Sequence, residues 1–175
     1  MKPLSVLTGL LLPALAWAQG AARPEEILVK ARALKVVAFF TVFPRQPTPA
    51  RPWLIGIVGA PPFGKVLETL SPPEALMKGR RLLVTYPRTR EEVEGLDVLF
   101  IGASADSQLA DLLMWVKGRP ILTVGEAPEF LERGTMIHLA MEDQRVRPWV
   151  NLRTAQGSGL SFSSFFLANS KVIAP

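Results

Sequence analysis

A chain of 175 residues is long enough for one domain with a hydrophobic core and too short for two. Apolar residues make up 49% of the sequence, as in folded proteins, and no cysteine is present, which excludes disulfides and thiolate sites. The net charge of +5 comes from scattered basic residues rather than a dense basic stripe, which argues against binding to nucleic acid.

The first 18 residues have the pattern of an export signal. Lys2 precedes an apolar stretch from Leu4 to Leu15, and Ala16-Trp17-Ala18 follows as a small-residue cleavage motif. The stretch is shorter than the roughly 20 residues of a membrane span, which argues against the alternative of an uncleaved anchor. We therefore expect a signal peptide over 1–18, cut near Ala18-Gln19, and an exported domain over 19–175 that does not insert into the membrane.

The first element of this domain is predicted to be a helix over residues 25–43. Apolar residues at 27, 31, 34, 38 and 42 recur with helical spacing, and two glutamates at its start suit the positive end of the helix dipole. Pro44 ends the helix, and the proline-rich segment 44–52 is predicted to be a linker.

Apolar strands and helical segments then alternate along the chain. The predicted strands are 53–59, 81–86, 97–104 and 120–126, and the helical segments between and after them are 60–70, 89–96, 106–118 and 127–134. Strands that are apolar throughout are typical of a parallel sheet covered on both faces. The sequence therefore predicts a single α/β domain with a mostly parallel, Rossmann-like sheet and helices on both faces.

Residues 136–152 break this alternation. Two apolar runs flank a short polar turn with no room for a helix, so they are predicted to form an antiparallel hairpin added to the sheet. Pro148 cannot donate a ladder hydrogen bond, which places the second strand at an edge or a bulge. Phe162, Phe165, Phe166 and Val172, near the C-terminus, are candidates to cover a sheet face.

Catalytic chemistry has little support in the sequence. The single histidine, His138, lies among apolar neighbours, and a hydrolase would require it to reach Glu126 or a serine. One histidine and no cysteine make a zinc site improbable, and the glycine pattern of a phosphate loop is missing. We expect no catalytic residues, no metal and no cofactor.

Four residues lie where an open α/β sheet usually binds its ligand, at the carboxyl ends of the predicted strands. They are Ala60, Phe63, Ser104 and Glu126. These residues are the candidates for a small-molecule pocket, and a ligand-binding or sensing module is the alternative function.

Several sequence blocks, taken in order and with their spacing, resemble the YfiR family of periplasmic proteins. The blocks are VKARALKVVAFFTVFP (29–44), IGIVGAPPFG (55–64), VLFIGAS (98–104), GRPILTVGE (118–126), GTMIHLAMEDQRVRPWVNL (134–152) and GLSFSSFFLANSKVI (159–173). The resemblance covers almost the whole predicted mature domain.

The resemblance implies a non-catalytic α/β domain that binds the periplasmic part of an inner-membrane diguanylate cyclase and holds it inactive. Release of the cyclase would raise cyclic-di-GMP and promote biofilm formation, whereas some relatives are parts of sensor kinases. This chain departs from the family pattern at Gly125-Glu126, His138 and Pro148-Trp149-Val150. It also lacks the cysteines of the best-known relatives, so redox control through disulfides does not apply.

A domain of this kind needs exposed apolar surface to dock on a partner. The candidates are Phe39 and Phe43 on the first helix, and Trp149 with Arg147 on the hairpin. Phe40 lies beside the apolar stripe and is expected in the core, whereas the face of Trp149 does not follow from the pattern. The sequence leaves open whether the domain forms a homodimer.

Overall fold

A computed structural model describes residues 24–44, 51–60, 63, 65–72 and 76–173. The predicted signal peptide over residues 1–18 and most of the predicted linker lie outside these residues. Cleavage near Ala18-Gln19 and the domain boundary at residue 19 therefore stay predictions.

Helices and strands alternate through the described residues. The helices are α1 (Pro24–Phe40), α2 (Val66–Thr69), α3 (Arg90–Glu94), α4 (Leu109–Val116), α5 (Glu129–Glu132), α6 (Leu152–Gly157) and α7 (Ser164–Ala168), with a 3₁₀ helix over Ala103–Gln108. The strands are β1 (Thr41–Val42), β2 (Trp53–Val58), β3 (Leu76–Met77), β4 (Arg80–Thr85), β5 (Val98–Ile101), β6 (Leu122–Gly125), β7 (Ile137–Glu142), β8 (Arg145–Asn151), β9 (Ser161–Phe162) and β10 (Lys171–Ile173). None of the helices in the described ranges has the length and apolar character needed to span a membrane.

Eight of the described strands form one mixed sheet in the order β10-β8-β7-β6-β5-β2-β4-β3. Strands β4, β2, β5, β6 and β7 run parallel to one another, β3 pairs antiparallel with β4, and β7 and β8 form the antiparallel hairpin. The predicted α/β domain, with a mostly parallel sheet and a hairpin added to it, is confirmed.

Two apolar cores cover the two faces of the sheet. The first contains α1, α2, α6 and α7 packed on one face, and the second contains α3, α4 and α5 packed on the other. Residues on β7 alternate between the faces, so Ile137 and Leu139 join the first core and His138 points to the second face. Helices on both faces, as predicted, leave the central strands buried.

The first helix is shorter than the predicted span of 25–43. Ala31, Leu34 and Ala38 are buried as the stripe predicts, but α1 ends at Phe40 because Thr41 and Val42 pair with Phe162 and Ser161. Val42, predicted on the buried stripe, is half exposed. The helix therefore continues into a short strand before Pro44.

Strand β8 is an edge for only part of its length. Strand β10 pairs in parallel with Trp149–Asn151, whereas residues 145–148 lie beyond the end of that pairing. The N–H of Asn151 donates to the carbonyl of Met136. Along an antiparallel pair, residues that hydrogen-bond to the partner strand alternate with residues that do not. Pro148 is one of the latter, so its nitrogen points away from β7. Pro148 thus lies at an edge of the sheet, as predicted, but only residues 145–148 of β8 form that edge.

The aromatic residues near the C-terminus divide between core and surface. Phe162 and Phe166 are buried in the first core, as expected of residues that cover a sheet face. Phe165 is 65% exposed and Val172 is nearly half exposed, so neither of these two covers the sheet.

Candidate functional site

The structure brings three of the four pocket candidates together at the carboxyl ends of β2, β5 and β6. The Ser104 hydroxyl accepts a hydrogen bond from the N–H of Ala60 at 2.6 Å, and a Glu126 carboxylate oxygen accepts one from the N–H of Ala103 at 2.7 Å. A Cβ on Gly102 would lie 3.0 Å from the carbonyl oxygen of Ala60, so glycine permits this close approach. The cluster ties three strand ends together.

Phe63, the fourth pocket candidate, lies in the core instead. Its side chain is buried and packs on Phe100 with ring centroids 4.7 Å apart. Glu126 also places a negative charge at the start of the 3₁₀ helix, where an anionic ligand would otherwise find free N–H groups. The polar groups at the strand ends therefore stabilise the loops and disfavour an anion.

His138 is buried against the second face of the sheet and does not form a proton-transfer pair with a serine among the described residues. Its Nδ1 lies 3.2 Å from the carbonyl oxygen of Gly125, and its ring meets the Trp149 ring edge-on at 5.7 Å. Burial lowers the pKa of His138, which favours the neutral imidazole. Within the described ranges, no three acidic or histidine side chains are arranged to hold a metal ion.

An exposed aromatic surface forms where the end of α1 meets α7. We call Val36, Phe39, Phe40 and Phe165 the aromatic patch. Val36 and Phe39 are 49% and 50% exposed, and Phe165 is more exposed still. The Phe40 ring joins them, since it lies 5.3 Å from the ring of Phe39 and 5.6 Å from that of Phe165. These side chains form one continuous apolar surface.

Three positively charged side chains lie beside the aromatic patch. Arg32 lies one turn before Val36 and is exposed, and the Lys78 ammonium lies 5.8 Å from the Phe39 ring centroid while donating to the carbonyl of Thr41. Lys35 donates to the carbonyl of Leu70. Both ammonium groups are partly withdrawn from water, and this burial lowers the pKa of Lys35 and of Lys78.

The four partner-binding candidates divide between the two faces of the sheet. Phe39 belongs to the aromatic patch, and Phe43 is half buried with its ring edge-on to Trp53 at 4.9 Å. Trp149 and Arg147 lie on the opposite face, because their neighbour Val150 points into the first core. The four residues therefore do not form one binding surface.

Trp149 is fixed by its neighbours at the hairpin. Its indole N–H donates to Glu142 at 2.9 Å, and the Lys171 ammonium lies 4.0 Å from its ring centroid. The exposed Arg147 lies 3.3 Å from the same carboxylate. The hydrogen bond from Trp149 lowers the pKa of Glu142. Trp149 also lines a groove of about 530 Å³, a volume typical of ligand-sized clefts.

The groove beside Trp149 has apolar and acidic walls. Leu131, Ile173 and Pro128 supply apolar atoms, while Glu129 and Glu132 stand at its rim. No sequence pattern indicates this groove, since its walls come from α5 and from the short strand β10. Phe165 and Val36 were also missed as surface residues, because apolar residues at such positions more often face a core.

These observations define an α/β domain with an exposed aromatic patch at the edge of one helical layer. The chain belongs to the YfiR/HmsC-like family, whose family model matches residues 28–171. At the level of the family, this membership supports a regulator of diguanylate cyclase signalling in the periplasm and a regulatory rather than a catalytic domain.

A solved structure has the same fold. It is the crystal structure of a conserved domain protein from Vibrio cholerae, which is 14% identical in sequence with a TM-score of 0.55. The match covers 81% of this chain and 59% of that one, so this chain spans less than two thirds of its length. No curated protein matches the chain.

Proposed function

We propose that this domain binds the periplasmic part of an inner-membrane signalling protein, a diguanylate cyclase, and holds it inactive. Family membership supports a regulator of this signalling. In this proposal, the domain is exported, acts as a protein-contact inhibitor and controls biofilm formation through cyclic-di-GMP. Release of the contact would activate the cyclase.

The observation that carries the proposal is the aromatic patch. Folding normally buries large apolar side chains, and burial of apolar area stabilises a complex by about 25 cal/mol per Å². Phe39 and Phe165 remain at least half exposed although both touch Phe40, which packs against the first core. A contiguous apolar surface of this kind is typical of a protein-binding site.

The direct test uses the periplasmic domains of the host's membrane-bound diguanylate cyclases, each purified and measured for binding to this protein. We expect one of these domains to bind, and Phe39→Ser and Phe165→Ser each to weaken that binding by about tenfold or more. Met114→Ser is the matched control, because Met114 is an exposed apolar residue of α4 on the opposite layer. Cellular cyclic-di-GMP should rise with either phenylalanine variant and stay unchanged with the control.

Two outcomes would count against the proposal. The first is that none of the cyclase domains binds the wild-type protein. The second is that the control variant weakens binding as much as Phe39→Ser does, since the effect would then not come from the aromatic patch.

A second candidate function, a small-molecule-binding module, is supported by the groove beside Trp149 rather than by the strand ends. Its walls are mainly apolar and its rim carries Glu129 and Glu132, whereas Ser104 and Glu126 already serve internal hydrogen bonds. A saturable rise in melting temperature with one compound from a metabolite screen would support this function, provided that Trp149→Ala abolishes the rise. A screen without such a compound would argue against it.

A further inference from the structure

The aromatic patch lies in a region of the chain that carries basic residues and no acidic ones. From residue 27 to residue 44 the charged residues are Lys30, Arg32 and Lys35, and from 144 to 173 they are Arg145, Arg147, Arg153 and Lys171. These two segments supply α1 beyond its first turn, β9 and α7, and therefore the whole of the aromatic patch. Lys30 pairs with Glu26, and Arg145, Arg147 and Lys171 lie with Trp149 on the opposite face of the sheet. The charge beside the patch itself therefore comes from Arg32, Lys35 and Lys78, and all three are positive.

From this arrangement we infer that the partner presents an acidic surface with apolar side chains at its centre to the aromatic patch. This inference rests on the proposed function and names the chemistry of its partner. Opposite charges at the rim of an interface mainly accelerate association and select the correct partner, while the apolar centre supplies affinity.

Arg32 and Lys78 place positive charge at two sides of the patch. Arg32, Val36 and Phe39 follow one another at spacings of four and three residues, so they lie along one face of α1. Lys78 approaches Phe39 from the turn between β3 and β4. A carboxylate of the partner that reached either cation would lie beside the buried apolar centre, where water screens the attraction less.

A second copy of this chain is a poorer occupant of the patch than an acidic partner. A twofold dimer brings the same surface of both subunits together, which would place the positive charges of Arg32 and Lys78 on both sides of one interface. Like charges across an interface are unfavourable. The same basic surface would also attract an anionic membrane, and the experiment separates this occupant.

The test measures binding of the cyclase periplasmic domain that the wild-type protein recognises, as a function of salt. We expect Arg32→Glu to weaken binding by about tenfold at about 0.1 M salt, and by much less at about 1 M salt, where the Debye length falls to about 3 Å. Lys117→Glu is the matched control, because Lys117 is an exposed lysine at the end of α4 on the opposite layer. It should change affinity by no more than about twofold.

The outcomes separate this inference from the proposed function. If Phe39→Ser abolishes binding while neither salt nor Arg32→Glu changes it, the partner is not acidic and the proposed function stands. If no cyclase domain binds, both fail.

Two further measurements identify other occupants. Sedimentation should show the wild-type protein as a monomer, and a dimer lost in Phe39→Ser would identify a second copy instead. Vesicles of phosphatidylethanolamine with about 30% phosphatidylglycerol should not retain the protein, and retention lost in Arg32→Glu would identify a membrane surface and overturn the inference.

Discussion

The carboxylate of Glu126 accepts a hydrogen bond from the backbone N–H of Ala103 at 2.7 Å and so joins the end of β6 to the end of β5. Ala103 begins the 3₁₀ helix that leads into α4, and its N–H is one of the donors that the start of a helix leaves without an internal partner. Glu126 thus has a structural role at the position where open sheets often bind ligands.

Replacement of Glu126 by alanine should lower the free energy of unfolding by about 1 kcal/mol, because it removes a charge-assisted hydrogen bond at a helix start. Glu126→Gln keeps an acceptor oxygen and should cost less than half as much. Urea denaturation of the three proteins measures the difference. Equal stability of Glu126→Ala and the wild type would show that the hydrogen bond contributes nothing.

Asp97 and Arg80 form a buried ion pair at the amino ends of the parallel strands. Their side chains are 5% exposed and 3.4 Å apart, and the same Asp97 oxygen accepts from the N–H of Leu54 at 2.9 Å. Burial lowers the pKa of Arg80, which the charge of Asp97 opposes. Arg80 also donates to the carbonyls of Arg51 and Pro52, so this pair fixes the start of β2.

Asp97→Ala should lower the free energy of unfolding by about 3 kcal/mol, because it leaves the Arg80 guanidinium buried without its counter-charge. Adding Arg80→Met should restore part of that loss, since no buried unpaired charge then remains; Arg51, the other partner of Asp97, is exposed. Glu94→Ala, which removes a more exposed carboxylate that pairs with Arg90 and Arg119, should cost no more than about 1 kcal/mol. Thermal or urea unfolding compares the variants, and a double variant less stable than Asp97→Ala would contradict this account.

Much of the fold could be predicted because its signals are local and periodic. The buried stripe of α1 at Ala31, Leu34 and Ala38 follows helical spacing, and the central strands are continuous apolar runs. Strands of two or three residues, such as β1, β3 and β10, have too few residues for a period and depend on a partner far away in the chain. The pairing of Thr41 with Phe162 therefore ended α1 earlier than its own sequence predicted.

The candidate site was less predictable, because the face on which a side chain lies depends on register. A shift of one residue in β8 would have moved Trp149 to the side of α1, and the sequence pattern allows either arrangement. Exposure of Phe165 likewise depends on where α7 packs, since the adjacent Phe166 is buried. The strand-end cluster follows from topology alone, whereas the hydrogen bonds of Ser104 and Glu126 depend on how the loops after β2, β5 and β6 fold.

His138 should make the stability of the protein depend on pH below its usual pKa of 6.5. Burial lowers the pKa of the folded state, although the nearby carboxylates of Glu126 and Glu129 oppose the shift and Lys30 reinforces it. The unfolded chain therefore binds the proton more readily, and the free energy of unfolding falls as the pH drops below 6.5.

The window from pH 6.5 to about 5.5 isolates this histidine, because carboxylates with lowered pKa, such as that of Glu142, begin to lose their contribution about one pH unit above their usual value of 4.5. Denaturation of the wild type and of His138→Phe across this window measures the effect. The variant should show a flatter profile, and the same slope in both proteins would assign the pH dependence to other groups.

The turn of the β7–β8 hairpin contains two residues with positive φ, Asp143 at 47° and Gln144 at 63°. Two such residues in a two-residue hairpin connection match a type I′ turn, which favours asparagine or aspartate followed by glycine. The left-handed conformation is sterically unfavourable for Gln144 and not for glycine, although glycine loses more entropy on folding.

Gln144→Gly should therefore raise the free energy of unfolding by roughly 0.5 kcal/mol, measured by urea denaturation. Gln156→Gly, within the ordinary helix α6, is the control and should lower it by about the same amount, because there glycine relieves no strain. A loss of stability in both variants would show that the left-handed conformation at Gln144 costs less than the extra entropy of glycine.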